Sequence, residues 1–191
     1  DSHLTAPSTV ALYEDIIKMR QLGFNGCRKH QKIEDDRFYY YADVLGYILW
    51  SEMPSMYTNT ENSRVVFEKE WMETVVQHYN HPSVLVWTPL NESWGVEDIL
   101  HSKVEQEFAN TLYYKTKEYD PYRLVITNDG WEHTISDILT LHDYEESGEI
   151  AYERYTEFKD EILDNKYPFA LSRLAFAKGY EYKGQPIILS E

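Results

Sequence analysis

Short apolar segments alternate with amphipathic segments along most of the chain, and this alternation constrains the fold more than any other feature. The apolar segments predict six strands, at 24–28, 47–50, 84–87, 124–127, 138–141 and 187–189. Continuous apolar strands that alternate with helices are typical of a parallel sheet covered on both faces. The fold class is therefore α/β, as an open doubly wound sheet or a closed (β/α)₈ barrel. A glycine-rich phosphate loop would favour the open sheet, and the sequence has none.

The predicted helices carry recognisable start and stop signals. Ser8 or Thr9 is expected to cap the first helix and Asp35 or Asp36 the second; Gly23 and Gly46 end them in a left-handed conformation. Further along, a helix is expected to begin at Asn62 or Ser63 and another to run over 99–119 with Val104, Phe108 and Leu112 inward. Residues 149–165 are expected to be helical, and 166–186 irregular.

Length and charge narrow the classes of function. The 191 residues suffice for one domain with a buried core, and 42% of them are hydrophobic. The net charge of −15 argues against nucleic acid and against an anionic membrane surface as partners. It weakly favours a cytoplasmic location. The single cysteine, Cys27, cannot form an internal disulfide and is expected to be a buried thiol. No apolar run approaches the roughly 20 residues of a membrane span.

Polar residues gather directly after the predicted strands. They are Arg28, His30, Glu52, Asn91, Glu92, Asn128, Asp129, His142, Asp143 and Glu191. In a (β/α)₈ barrel these positions share the C-terminal rim that carries the active site. Carboxylates with nearby Arg, His and Trp suit carbohydrate chemistry, and Trp94 and Trp131 follow strand ends where they could stack on a sugar ring. Cleavage of a glycosidic bond needs two carboxyl groups flanking it, and Glu92 and Glu191 are the strongest pair by context.

Five motifs resemble the catalytic barrel of glycoside hydrolase family 2, which includes β-galactosidases, β-glucuronidases and β-mannosidases. They are GFNGCRKH at 23–30, NHPSVLVW at 80–87, LNES at 90–93, DPYR at 120–123 and SE at 190–191. The resemblance spans nearly the whole chain and implies a (β/α)₈ barrel. It also implies an O-glycosyl hydrolase that cleaves terminal β-glycosidic bonds, β-galactosides among them, with retention of configuration. The substrate is a carbohydrate, and no cofactor or metal is implied.

The family pattern assigns roles to individual residues. Glu92 would be the general acid/base, Glu191 the nucleophile, and Asn91 a partner of the sugar 2-hydroxyl. Arg28 would keep Glu191 ionised, and His30 would lie at the rim near the sugar. The remaining candidates line the pocket in a looser match: Asp129, Trp131, His142 and Asp143. The retaining mechanism further requires a protonated Glu92 near neutral pH and carboxyl groups about 5–5.5 Å apart.

The same resemblance predicts how the chain is organised. Residues 1–191 would form one catalytic-barrel segment, truncated at both ends, that covers about strands 2 to 7 of the barrel. Such a segment alone is expected to be weakly active or inactive. Its two open strand edges would favour self-association into a homo-oligomer.

Two other classes of function stay open at the level of sequence. A metal-dependent hydrolase on a similar barrel would use His142 with Asp143 as ligands, although no third ligand has a clear spacing. A carbohydrate-binding or degenerate module, or an inert fragment, would need no catalytic pair. The presence of both Glu92 and Glu191 favours the enzyme, because a degenerate module has no reason to keep them.

Overall fold

A computed structural model of the chain describes residues 8–191, so the first seven residues of the predicted domain lie outside the described part. The strands are β1 (Gly26–Lys29), β2 (Ile48–Glu52), β3 (Val84–Thr88), β4 (Leu90–Asn91), β5 (Leu124–Val125), β6 (Asn128–Asp129), β7 (Leu139–Leu141) and β8 (Ile187–Leu189). The helices are α1 (Thr9–Gln21), α2 (Asp36–Leu45), α3 (Glu61–His78), α4 (Lys103–Tyr119), α5 (Gly148–Glu157) and α6 (Lys159–Leu163). A short 3₁₀ turn covers Ala170–Ser172.

The strands form an arc of a parallel barrel in chain order. β1, β2, β3 and β5 make one parallel sheet, β4 pairs with β6, and β7 pairs with β8. Pro89, which has no backbone N–H to donate, separates β3 from β4 within one extended segment. A backbone hydrogen bond of 3.1 Å from His142 to Gly130 carries the arc onward to β7. The incomplete (β/α)₈ barrel predicted from the sequence is confirmed. All six predicted strands are present, the last with the predicted bounds 187–189 and the other five with shifted bounds.

The helix signals are mostly where the sequence places them. The Ser8 side chain caps α1 and Asp35 caps α2, and Gly46 ends α2 with a left-handed φ of 63°. The predicted start of α3 at Asn62 or Ser63 is wrong. Thr60 caps that helix instead, because its side chain and that of Ser63 bond each other's backbone N–H in a capping box.

The second half of the chain departs further from the predicted helices. α4 begins at Lys103 and not at residue 99, because the Ser102 side chain caps it after a series of turns. Val104 therefore lies on the outer face and is 55% exposed, whereas Phe108 and Leu112 are buried as predicted. The helix predicted over 149–165 is divided into α5 and α6 near Phe158.

Two buried tryptophans stabilise the part of the barrel beneath the rim, each through a hydrogen bond from its indole N–H. Trp71 of α3 donates its indole N–H to Thr116 of α4 at 2.8 Å. Trp87 of β3 donates to Asp120 at 2.9 Å, and Asp120 also pairs with Arg123 at 2.7 Å. The DPYR motif is therefore structural: it closes the turn between α4 and β5 beneath the rim.

Three remaining features bear on the sequence predictions. Cys27 is only half-buried, and burial raises the pKa of its thiol to about 11. β8 lies at one end of the described arc with Ile187, Ile188 and Leu189 exposed. Self-association through such an edge remains a prediction. Among the described residues, no helix combines the length and apolar character needed to cross a membrane.

Candidate active site

The guanidinium of Arg28, at the end of β1, is the centre of the polar cluster on the C-terminal rim. Its Nε lies 2.7 Å from Glu52 at the end of β2 and 2.8 Å from Asp129 at the end of β6. Its Nη2 donates to Glu191 after β8 at 2.5 Å and to Asn91 at the end of β4 at 3.1 Å. One partly buried cation thus joins four other strand ends, which the planar, multidentate geometry of arginine allows.

Glu52 and Asp129 are both fully buried, yet their acidities move in opposite directions. Burial raises the pKa of Glu52 to about 7, because Arg28 compensates only part of the lost hydration. Burial also disfavours the charged form of Asp129. The hydrogen bond from His142 and the charge of Arg28 nevertheless hold the pKa of Asp129 below its usual value.

The imidazole of His142, directly after β7, lies between three carboxylates. Its Nδ1 is 2.8 Å from Glu92 and 3.7 Å from Glu191, and its Nε2 is 3.2 Å from Asp129. Burial alone would favour the neutral ring. The contacts with the Asp129 and Glu92 carboxylates override that effect and raise the pKa of His142 to about 9. The ring is therefore an imidazolium at neutral pH.

Tyr144 joins the two proposed catalytic carboxylates and is a residue that the sequence interpretation missed. Its hydroxyl donates to Glu92 and, at 2.7 Å, to Glu191. One oxygen of Glu92 and one of Glu191 lie within 4.8 Å of each other. This proximity suits the short carboxyl spacing of retaining glycosidases, about 5–5.5 Å, more closely than the wider spacing of inverting ones.

The pKa values of Glu92 and Glu191 are both shifted, and the shift of Glu92 differs from the sequence expectation. Partial burial raises the pKa of Glu92, but hydrogen bonds with His142 and Tyr144 outweigh it, so the pKa of Glu92 is lowered. This direction is opposite to the raised pKa expected for a general acid, and the pKa of the neighbouring His142 is the one that is raised. The pKa of Glu191 is lowered as well, because Tyr144 and Arg28 outweigh its burial.

The turn that carries Glu92 is strained and firmly held. Glu92 and Ser93 have left-handed φ angles of 51° and 60°, which cost energy for residues other than glycine. The Ser93 N–H donates to Asn128 at 2.9 Å, and its hydroxyl donates to buried Glu132 at 2.6 Å. Arg173 pairs with Glu132 at 3.0 Å from the far side. Glu132 and Arg173 were not singled out from the sequence, because only the fold brings them to this turn.

Besides Asp129 and Glu191, two further predicted site residues, His30 and Asn91, contact Arg28. The His30 Nδ1 accepts from its Nη2 at 2.8 Å, and the His30 side chain is 55% exposed. Asn91 is fully buried, and its Nδ2 group has no hydrogen-bond partner among the described residues. An unused buried donor beside Glu92 and Glu191 is a position where a ligand oxygen would bind favourably.

The remaining predicted site residues are two tryptophans and Asp143, and they are oriented differently toward the Glu92–Glu191 pair. Trp94 is 49% exposed next to the Glu92 turn, whereas Trp131 is buried with its ring edge toward His142. Asp143 does not point into the cluster, because its carboxylate pairs with Arg154 and accepts from Tyr155 at 2.8 Å. It instead anchors α5 to the rim.

Glu92, His142 and Glu191 have the side-chain types of a metal site, with ligand atoms within 4.8 Å of one another. Their surroundings do not fit a cation. The Tyr144 hydroxyl lies between both carboxylates, and Arg28 already neutralises Glu191. The Nδ1 of His142 contacts Glu92 at 2.8 Å, which leaves no space between them for an ion. His142 and Asp143 do not converge on a common point either, since Asp143 faces Arg154.

The fold and the rim define a parallel α/β barrel with a partly buried arginine and several carboxylates at its C-terminal face. The family model described as "Glycosyl hydrolases family 2, TIM barrel domain" matches residues 5–191. The chain belongs to this family, as its motifs predicted.

Relatives of known name agree with the family. A β-glucuronidase of Bacteroides fragilis is 28% identical over 119 residues, which cover 58% of this chain and 16% of that protein. An FMN-binding β-glucuronidase from Facaelibacterium prausnitzii L2-6 has a TM-score of 0.66 at 25% identity, over 80% of this chain and 26% of that one. A β-galacturonidase from Eisenbergiella tayi, solved with galacturonate, shares the fold with a TM-score of 0.72 at 21% identity, over 96% and 32% of the two chains. The chain thus spans about a sixth of the curated relative and about a quarter to a third of these solved chains.

Proposed function

We propose that the whole protein hydrolyses β-glycosides with retention of configuration, with Glu191 as nucleophile and Glu92 as general acid/base. The observation that carries this proposal is the Glu92–Glu191 pair. One oxygen of each lies within 4.8 Å of the other, and the Tyr144 hydroxyl is within hydrogen-bond distance of both. Of the two carboxylates, Arg28 bonds only Glu191. Two carboxylates in asymmetric surroundings are what a retaining glycosidase uses for its two roles.

The first chemical step forms a bond between Glu191 and the sugar. A Glu191 oxygen attacks the anomeric carbon as the bond to the leaving oxygen breaks, and Glu92 delivers a proton to that oxygen. Arg28 and Tyr144 support this role because they keep Glu191 ionised. When the ester forms, the charge of Glu191 disappears, and Arg28 keeps its contacts with Glu52, Asp129 and Asn91.

The second step returns the enzyme to its starting state. Glu92, now a carboxylate, takes a proton from water as the water oxygen attacks the anomeric carbon and the ester bond to Glu191 breaks. The product keeps the configuration of the substrate because the carbon is inverted twice. Tyr144 contacts both carboxylates, so it can follow the negative charge from one to the other.

Groups around the pair offer contacts for the sugar. The free Nδ2 donor of Asn91 is placed to bind a ring hydroxyl near the anomeric centre. Trp94 exposes an indole face beside the Glu92 turn, where a sugar ring or aglycone can stack. His30 lies at the rim, where an exposed imidazole contacts both Arg28 and solvent.

The substrate we propose is a β-glycoside of a uronic acid. This choice rests on the names of the Bacteroides fragilis and Facaelibacterium prausnitzii relatives, both β-glucuronidases. The β-galactoside expected from the sequence has no counterpart among the relatives described above. A substrate panel decides between them.

The test is a panel of aryl β-glycosides that includes the glucuronide, galacturonide, galactoside and mannoside, assayed with the whole protein and with a chelator present. Hydrolysis of one uronide, unaffected by the chelator and with β-anomeric product seen first by NMR, is the expected result. An α-anomeric first product would overturn the retaining mechanism. Inhibition by the chelator would favour the metal-dependent alternative, and binding without hydrolysis would favour a carbohydrate-binding module.

A further inference from the structure

We propose that His142 is a positioning residue that shares one exchangeable proton with Glu92 and supplies it for departure of the leaving group. This inference rests on the proposed glycosidase function. The geometry that carries it is a line of three groups, in which the buried imidazole contacts Glu92 through Nδ1 at 2.8 Å and has its Nε2 at an ion-pair distance of 3.2 Å from buried Asp129. The line gives Glu92 a second proton-holding group within direct reach.

The packing around the His142 imidazole fixes the orientation of the ring. The ring is fully buried, and the edge of Trp131 packs against it at a centroid distance of 5.8 Å. On the other side lies Gly130, where a Cβ atom would come within 2.6 Å of the His142 Nδ1. Only glycine permits this approach, and φ of Gly130 is 102°. The ring therefore cannot turn away from Glu92 without disturbing the strand end.

Negative groups dominate the surroundings of the ring. The charged or titratable groups that face it are Glu92, Asp129, Glu191, Tyr144, Arg28 through Asp129, and buried His133. Asp129 is the permanent counter-ion, because its pKa is held low. His133 stays neutral, since burial lowers its pKa to about 4. These surroundings favour the charged form of the imidazole, and the pKa of Glu92 beside it is lowered.

The proton balance of the cycle follows from this pair. As substrate displaces Tyr144 from Glu92, the proton moves from His142 Nδ1 to the Glu92 oxygen and leaves a neutral imidazole whose Nε2–H still faces Asp129. Glu92 passes the proton to the leaving oxygen as the glycosidic bond breaks and the bond to Glu191 forms. In the second step Glu92 takes a proton from water and returns it to His142. No proton is lost or gained by the pair over one turnover.

The direct test is the pH profile of kcat/KM for the whole protein and its His142→Gln variant, with His101→Gln as an exposed control. Without the imidazole, only Glu92 holds the reactive proton, so the alkaline limb moves toward acid by at least about one pH unit. The loss of kcat/KM is then at least about tenfold greater at pH 8 than at pH 5. The control keeps the wild-type profile. An active His142→Gln variant with an unshifted alkaline limb would overturn the proposal.

A second measurement needs neither activity nor a stable His142 variant. ¹⁵N-histidine NMR of the whole protein should show His142 protonated on both nitrogens above pH 8, with a lower titration midpoint in Glu92→Gln and no change in Asp98→Asn. A His142 that deprotonates below pH 7 in the wild type would overturn the shared proton, even with hydrolysis intact. Failure to cleave every glycoside would overturn the proposed function while the NMR result still decides the proton's location.

Discussion

The Nη2 of Arg28 lies 2.5 Å from the Oε1 of Glu191, so the end of β1 is bonded to the residue that follows β8. This contact spans the described arc of the barrel and places a permanent positive charge on the proposed nucleophile. The same guanidinium bonds Glu52 and Asp129 through Nε. The position of Glu191 and its charge are consequently set by one side chain that three acidic residues share.

Replacement of Arg28 by lysine should keep the positive charge and remove the planar guanidinium, so it tests the two properties separately. In Arg28→Lys a single ammonium cannot reach all five of its present partners, so we expect kcat/KM to fall at least about tenfold, about 1.4 kcal/mol in transition-state stabilisation. The acid limb of the kcat/KM profile should move to higher pH, because the pKa of Glu191 rises. Arg37→Lys, at an exposed ion pair with Asp35, is the matched control. An unmoved acid limb would show that Arg28 does not tune Glu191.

Removal of the acid/base group should affect substrates according to their leaving groups. Glu92→Gln cannot protonate the departing oxygen, so the rate for alkyl glycosides should fall by about 10²- to 10⁴-fold. Activated aryl glycosides leave without a proton, and their first step should be slowed much less. The measurement is a plot of rate against leaving-group pKa, which should steepen. Equal losses across the series would count against the role of Glu92.

The strained turn after β4 should depend on Glu132. In Glu132→Gln the acceptor for Ser93 and the ion pair with Arg173 are both weakened. We expect kcat to fall about tenfold with KM nearly unchanged, because Glu92 loses its fixed direction without loss of a sugar contact. The matched control is Glu107→Gln on the exposed face of α4. Arg173→Met should give a similar loss that does not add to the first, and fully additive losses would refute a common path through Ser93.

The buried carboxyl of Glu52 should make stability fall with rising pH. Its pKa is raised from 4.5 to about 7 in the folded state, so the folded protein binds the proton more tightly than the unfolded chain. Its contribution is fully present below pH 4.5 and is lost as the pH rises through 7. Glu52→Gln should match the wild-type urea midpoint at pH 4.5 and exceed it at pH 8. A variant that loses stability between these values as steeply as the wild type would contradict this account.

The sequence predicts those parts of the fold and of the site that depend on residues close to one another along the chain. Gly46 ends α2 as expected, because a left-handed residue at a helix end is a local requirement. The Asn91–Glu92 motif is likewise local, since it follows one apolar strand. Family motifs add Glu191, which no local rule connects to Glu92 across 99 positions of sequence.

The remainder depends on contacts between distant segments. Tyr144 carries no signal of its own in the sequence, and only the fold places its hydroxyl between Glu92 and Glu191. The low pKa of Glu92 depends on His142, 50 positions away, so the requirement for a protonated acid did not reveal where the proton rests. Asp143 was expected in the pocket, but its pairing with Arg154 depends on how α5 returns to the rim.

The central claim is that Glu191 forms a covalent bond with the sugar. The measurement that tests it most directly is mass-spectrometric mapping after incubation of the whole protein with a 2-deoxy-2-fluoro β-glycosyl fluoride of the sugar it cleaves. The account predicts one fluoroglycosyl group on the peptide that contains Glu191, no label in Glu191→Ala, and rescue of that variant by azide with inverted product. Labelling of another carboxylate, or steady turnover of the probe by an inverting route, would contradict it.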